Sequence, residues 1–219
     1  MELQHIDILD KGYVELIDYM GSDNSIVSAA RVSLLGESKG KDADEKLIHY
    51  LKKNHHDTPF EMVEFVFRVK CPLFIRSQWM RHRTFSYNEV SRRYTSEEID
   101  FYYTDKLRHQ AENNRQASSG IIENSEAIQY LIKKSTEECF STYETLLANG
   151  VAREQARMVL PQNMYTIFYV KGNLRNWFHF LDLRNDEHAQ YEMQLYAKAI
   201  EDIITPIVPI ACEAWRYYK

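Results

Sequence analysis

Between positions 63 and 69 the chain alternates: Val63, Phe65, Phe67 and Val69 are apolar, with Glu64, Val66 and Arg68 between them. Successive side chains of a β-strand point to opposite faces, so a period of two commits one face of this segment to burial. A strand with a fully apolar face needs other strands beside it and helices over it. The rest of the sequence supplies both. Ile6, Asp7, Ile8 and Leu9 read as a strand, as do residues 13–19, with Lys11 and Gly12 as the tight turn between them. Residues 165–170 read as a further strand. Ser22 or Asp23 can cap a short helix running to Arg31. Asp42, Ala43, Asp44 and Glu45 form a D-x-x-E capping pattern ahead of Leu47, Ile48 and Leu51, which share one helical face.

Thr58 and Pro59 break that helix, and Pro72 suits the first turn of another that carries Phe74, Ile75 and Trp79. Residues 95–120, polar and aromatic without a period, read as a long loop or a broken helix. Residues 124–149 read as a long amphipathic helix (Ile128, Leu131, Ile132, Cys139, Tyr143, Leu146) stopped by Gly150. A short helix over 153–160 ends at Pro161. Two more are predicted over 173–184 and 186–204, before Pro206 and Pro209 break up the C-terminal end. The predicted fold class is therefore α+β: one domain over residues 1–219, a central, mostly antiparallel sheet flanked by helices, and a helix-rich C-terminal half.

Composition excludes several functions. At 44% hydrophobic and 13% aromatic the chain is not disordered. Its net charge of −5 is unsuited to coating nucleic acid, which needs a basic face. Only seven residues are glycine, and neither G-x-G-x-x-G nor G-x-x-x-x-G-K-[ST] occurs, so any nucleotide must be held without a dinucleotide fingerprint or a P-loop. Cys71, Cys139 and Cys212 are distant from one another and form no C-x-x-C, which points to neither a zinc knuckle nor a disulfide framework. His49, His55 and His56 do not match H-E-x-x-H, and no metal centre is expected. With no signal-peptide pattern and no run of about 18 apolar residues, the expected location is cytoplasmic, away from membranes.

The charge is uneven. Residues 76–93 hold five of the fourteen arginines, no lysine and one acid, Glu89; this island is +4, and the remainder of the chain is −9. Arginine without lysine favours forked recognition of a phosphate or a planar acceptor over diffuse attraction. An Arg-rich stretch on its own is compatible with a solvated or salt-bridged surface. Here the interleaved Trp79, His82, Phe85, Tyr87 and Tyr94 argue for a partner, because such groups are costly to display without one. Arg153 and Arg157 lie one turn apart, and Arg184 and His188 stand four apart across a helix junction.

Arg81-His82-Arg83, seven residues, then Ser91 resembles the R-H-R-x7-S signature of the flavin-dependent thymidylate synthases, and Ser86, Asn88, Ser91, Arg93 and Tyr94 match its longer form. His56, Thr58, Pro59, Phe60 and Glu61 are similar to the family's H-x-T-P-F-E segment. The resemblance continues through Arg153, Glu154, Arg157, Leu160 and Pro161, then Asn173 and Arg175, Leu183 and Arg184, and His188, Ala189 and Gln190, and so covers nearly the whole chain. Arg92, where many members carry a small residue, and His179, where some carry Asn, depart from the pattern.

This resemblance implies methylation of dUMP at C5 to give dTMP, with 5,10-methylenetetrahydrofolate as carbon donor, FAD as cofactor and NADPH as reductant. It implies no enzyme cysteine nucleophile, in agreement with the absence of a Pro-Cys pair. Carried over residue by residue, it implies dUMP contacts at Gln78, Trp79, Met80, Arg81, Glu89, Val90, Ser91, Arg92, Arg93, Arg157 and Arg184. Flavin contacts are implied at Thr58, Arg81, His82, Arg83, Glu89, Asn173, Leu174, Arg175, His179, Leu183 and His188. Arg184 is expected to face the pyrimidine as an electrostatic stabiliser, Ser91 to orient substrate, and His56 to line the folate or NADPH side. The family further implies a homotetramer with sites shared between subunits, and no nucleic-acid or membrane partner. The competing expectation is a catalytically idle nucleotide- or RNA-binding relative.

Overall fold

The alternating segment becomes the middle strand of a five-stranded sheet. The computed structural model describes residues 4–112 and 117–219. Its strands are β1 (His5–Ile8), β2 (Gly12–Met20), β3 (Glu64–Pro72), β4 (Ser86–Glu89), β5 (Arg108–Gln110), β6 (Ser118–Ile121) and β7 (Tyr165–Asn173). The main sheet has the order β1-β2-β3-β7-β4, and every neighbouring pair is antiparallel. Val63, Phe65, Phe67 and Val69 are wholly buried, as the alternation requires. The opposite face of the sheet is polar and carries the Arg68–Glu15 pair at 2.6 Å and the Lys171–Glu64 pair at 2.7 Å.

The helices are α1 (Asp23–Arg31), α2 (Lys41–Lys53), α3 (Leu73–Trp79), α4 (Glu126–Ala148), α5 (Arg153–Ala156), α6 (Leu174–Arg184), α7 (Tyr191–Ile204) and α8 (Pro209–Tyr217). The α+β class, the antiparallel sheet and the helix-rich C-terminal half all stand as expected. Several local expectations do not. Ser22 occupies the N-cap of α1, while Asp23 turns away and accepts the N–H groups of Ile210 and Ala211, both at 3.0 Å, thereby capping α8. The D-x-x-E pattern does not cap α2, whose N-cap is Gly40. Asp44 is drawn instead into an ion pair with Arg31 at 2.5 Å. Pro209 begins α8 rather than breaking the chain, since proline's missing N–H costs nothing in a first turn. The irregular stretch over 95–120 contains the β5–β6 ribbon, and its section 113–116 lies outside the described residues.

Two cores hold the molecule. In the larger, the Trp79 ring lies 4.5 Å from Phe180 and 5.6 Å from Phe168, and Phe85 lies 4.3 Å from Trp177. Gly172 makes this possible: a Cβ at that position would overlap the Phe85 ring. The smaller core joins Phe101, Tyr143, Ala156, Leu160 and Met164 beside α4 and α5. The apolar stripe expected on α4 is only half used. Tyr143 is buried, whereas Ile128 and Leu131 remain 47% and 62% exposed.

Candidate active site

The basic island is shaped by its anchors. β3 runs directly into α3 through Pro72, and the indole of Trp79 fills the core at the end of that helix. Gln78, with Arg81 beyond the helix, is thereby held at the edge of the core. The Tyr87 hydroxyl donates to the Trp79 carbonyl at 2.7 Å and to the His82 carbonyl at 3.1 Å, pinning the intervening turn. Burial raises the Tyr87 phenol well above its usual range, so it remains a donor.

His82 is buried with only 6% exposure, and its Nε2 accepts a hydrogen bond from Arg184 Nε at 3.0 Å. Arg184 Nη2 donates to the Gln78 carbonyl at 3.2 Å. Residues 102 and 106 positions apart in sequence thus form one cluster, because α6 packs its buried Trp177 and Phe180 against Trp79. Burial, assisted by the Arg184 and His179 charges, lowers the His82 imidazole to about 4. It is therefore neutral at pH 7, with Nε2 the lone-pair nitrogen.

β4 pairs with β7, and the Val90 N–H extends that pairing to the Ile167 carbonyl at 2.9 Å. Glu89 is held by Arg76 and by the Thr166 hydroxyl at 2.8 Å. A turn follows in which the Ser91 carbonyl accepts the Tyr94 N–H at 2.9 Å and Ser91 Oγ accepts the Arg93 N–H at 3.3 Å. Glu89, Val90, Ser91, Arg92, Arg157 and Thr166 line a cleft of about 320 Å³. A second cleft, of about 640 Å³, is lined by Asp57, Thr84, Arg175, Asn176, His179 and Asp182 among others.

Burial limits what some of the expected contact residues can offer. The Trp79 and Leu174 side chains have no exposure and belong to the core, so neither can present its side chain to a ligand. Met80 is half-buried against the same core. Arg92 is 8% exposed and spends its guanidinium on the carbonyls of Glu97 at 2.5 Å and Glu98 at 3.1 Å; it holds a loop rather than offering a free fork. The Asn173 side chain caps α6 by accepting the Asn176 N–H at 3.0 Å. His188 is paired with Asp186 at 2.9 Å, and Arg175 with Glu61 at 2.7 Å. Thr58, Arg81, Arg83, Arg93, Arg157, His179 and Leu183 are exposed, as is His56.

Apart from Arg92, held on backbone carbonyls, the described arginines fall into two groups. Arg31, Arg68, Arg76, Arg108, Arg175 and Arg216 each meet a carboxylate. Among the described residues, Arg81, Arg83, Arg93, Arg153, Arg157 and Arg184 have no carboxylate within ion-pair distance. The uncompensated cations coincide with the sequence motifs and give a surface able to take anionic ligands. The residues missed by sequence reasoning are the supports: Arg76 and Thr166 on Glu89, Tyr87 on the turn, and Gln190, whose Oε1 accepts from Gln78 Nε2 at 2.7 Å. Arg76 and Tyr87 lie inside the basic island and Gln190 ends the His188-Ala189-Gln190 match, but nothing in the sequence marked their supporting roles, and Thr166 carried no signal beyond its strand. Glu45, His49 and Glu213, all partly or fully exposed, bring donor atoms within 4.8 Å of one another across α2 and α8; the four-residue spacing of Glu45 and His49 is legible in the sequence, the approach of Glu213 is not.

Residues 15–210 match the family model described as thymidylate synthase complementing protein. The chain is 49% identical over 211 residues to the flavin-dependent thymidylate synthase of Thermus thermophilus, covering 96% of this chain and 78% of that protein. It is 45% identical over 216 residues to the flavin-dependent thymidylate synthase of Wolbachia pipientis wMel, covering 96% and 76%. Its fold superposes with a TM-score of 0.87, at 32% identity and covering 97% of this chain and 98% of that one, on a UMP/dUMP methylase PolB from Streptomyces cacaoi bound with 5-Br dUMP. The signature residues, the antiparallel sheet that carries them and the match over most of the chain lead to one conclusion: this chain belongs to the flavin-dependent thymidylate synthase family.

Proposed function

We propose that residues 1–219 form one thymidylate synthase domain that converts dUMP to dTMP by FAD-dependent reductive methylation, with 5,10-methylenetetrahydrofolate as carbon donor and NADPH as reductant. The observation that carries this reading is the set of arginines without carboxylate partners, centred on Arg81, Arg83, Arg93, Arg157 and Arg184. A dianionic nucleotide and a dinucleotide cofactor both need such cations, and the glycine-poor sequence offers no phosphate loop in their place.

In this reading Arg157, Arg93 and the Ser91 turn take the phosphate, and Gln78 and Arg184 take the pyrimidine. Arg184 stays protonated, so it stabilises negative charge developing at the ring oxygen and N3 as C5 acts as a nucleophile. Among the described residues no base is hydrogen-bonded to Ser91, and its Oγ already accepts the Arg93 N–H, which supports an orienting role. A thiolate is disfavoured at Cys71 and Cys212: burial pushes the Cys71 thiol well up and the Cys212 thiol to about 12. FAD, when bound and reduced at the expense of NADPH, would pass the two-electron reducing equivalents on to the methylation. The chemistry of the free cation set fits its diphosphate: Arg81 and Arg83 are exposed, and Thr84, which follows Arg83 in the chain, lines the cleft with Arg175 and His179. The exposed Ile128 and Leu131 on α4, and the separation of candidate residues into two clefts, support a homotetramer whose sites are completed between subunits. A cytoplasmic location accords with the reading, and no helix among the described residues is long and apolar enough to cross a membrane.

The test is an absorbance spectrum of the purified protein with and without dUMP, followed by assay of dTMP formation. Bound flavin that responds to dUMP, together with turnover, is expected. A colourless protein that takes up neither FAD nor dUMP overturns the reading, and a salt-sensitive RNA complex without flavin would favour an idle relative.

A further inference from the structure

Behind Gln78 runs a chain of three hydrogen bonds whose direction is set at its far end. Glu192 at the start of α7 is 3% exposed, and its Oε1 forms an ion pair with Arg108 Nη2 at 2.7 Å. Arg108 is fixed in turn by its Nε bond to Ser118 Oγ at 2.9 Å and by the Tyr191 ring, whose centroid is 5.0 Å away. The other Glu192 oxygen, Oε2, accepts from Gln190 Nε2 at 2.9 Å. Gln190 Oε1 accepts from Gln78 Nε2 at 2.7 Å.

An isolated glutamine amide can be turned over at little cost, exchanging a donor for an acceptor. This pair has no such freedom. A carboxylate paired with arginine can only accept, so the NH₂ of Gln190 must face Glu192. Its oxygen must then face Gln78, and the NH₂ of Gln78 must face Gln190. The consequence is that Gln78 Oε1 points away from the chain, and among the described residues nothing donates to it. Gln78 stands against Arg184, whose Nη2 is bonded to its backbone carbonyl.

We propose that Glu192, acting through Gln190, is a positioning residue that presents Gln78 Oε1 as an acceptor for a ring N–H and so selects uracil over cytosine in the bound nucleotide. Uracil carries a hydrogen at N3. Cytosine carries a lone pair there, which would face the Gln78 oxygen without a proton between them. A free amide could serve either base by turning over; a locked one serves one. This inference rests on the proposed function, since it takes the ligand of Gln78 to be a pyrimidine nucleotide.

Glu192→Gln should reverse the chain. Its amide oxygen must face Arg108, so its NH₂ faces Gln190, Gln190 turns over, and Gln78 then directs its NH₂ outward. Gln190→Leu removes the middle link without touching the Arg108–Glu192 pair, and it serves as the second variant should Glu192→Gln fold poorly. The measurements are affinities for dUMP and dCMP by titration of the flavin-loaded protein, with flavin content recorded for each variant. The expected result is a loss of about tenfold or more in the dUMP preference, the scale of one buried unmade hydrogen bond, with flavin retained. For Glu192→Gln a gain in dCMP binding is expected as well. An unchanged preference in the variants overturns the inference while leaving dUMP methylation by the wild-type protein intact. A wild-type protein that binds dUMP and dCMP alike also overturns it, and its turnover of dUMP then judges the proposed function separately.

Discussion

Arg184 and His82 are joined by a hydrogen bond in which the guanidinium Nε–H donates to the imidazole Nε2 at 3.0 Å, across 102 positions of sequence. The imidazole must be neutral to accept it. The guanidinium must lie in the plane that this bond and the Gln78 carbonyl define. Its remaining N–H groups are thereby aimed, and because no carboxylate among the described residues pairs with Arg184, its charge is available to a ligand.

Arg184→Ala should therefore cut turnover by about a hundredfold or more, the scale of a lost transition-state hydrogen-bond donor, while flavin content changes little. Steady-state assay and the flavin absorbance of the same preparation check this. Turnover near the wild-type value would remove the electrostatic role.

The lowered His82 pKa also carries a stability cost in acid. Unfolded, the imidazole binds a proton below about 6.5; folded, it resists one until about 4. Between those values the unfolded chain holds more protons, so stability falls as pH drops from 6.5 towards 4, by about 3 kcal/mol for this group, and is complete above 6.5. Urea unfolding at several pH values should show His82→Asn with a shallower acid decline than wild type over that window. Parallel pH profiles would mean that His82 is not the group responsible.

Arg92 and Arg93, adjacent in the signature, should separate by phenotype. Arg92 is buried on the carbonyls of Glu97 and Glu98, whereas Arg93 is exposed over the Tyr94 ring at 5.5 Å. Arg92→Ala should lower unfolding stability by about 2–3 kcal/mol, as when buried carbonyls lose a charged donor. Arg93→Ala should leave stability within about 0.5 kcal/mol and weaken dUMP binding. Denaturation midpoints and nucleotide titrations decide between this division and its reverse.

Gly172→Ala should destabilise the protein by about 1–3 kcal/mol through overpacking, because the new methyl group overlaps the Phe85 ring that lies on Trp177. The double variant with Phe85→Leu should recover part of that loss. If the two effects simply add in thermal melts, the overlap is not the cause.

Local pattern and tertiary structure divide this protein along a clear physical line. The alternation at Val63, Phe65, Phe67 and Val69 was legible because burial on one face of a strand imposes a period of two whatever lies against it. Helices with one apolar face were legible for the same reason. The arginine motif was legible as a cluster of forked donors with few acids nearby. What the linear order leaves open is which polar group finds which. Asp23 was as good a cap for its own helix as for α8, and only the approach of Pro209, Ile210 and Ala211 decided between them. Arg92 and Arg93 are the same residue type side by side, and the path of the 97–98 loop made one structural and left the other free. Gln78, Gln190 and Glu192 carry no marker of acting together; bringing the N-cap of α7 to Gln78 and Arg108 to Glu192 gave the amides their direction. By itself, then, the sequence determined four of the five strands of the main sheet, the helices ahead of α8 and the chemical character of the site, since these follow from local periodicity and residue type; the short β4 and α8 emerged only with the fold. The roles of individual charged and polar groups were decided only in three dimensions, because a hydrogen bond or ion pair depends on distance and burial, which sequence separation does not measure.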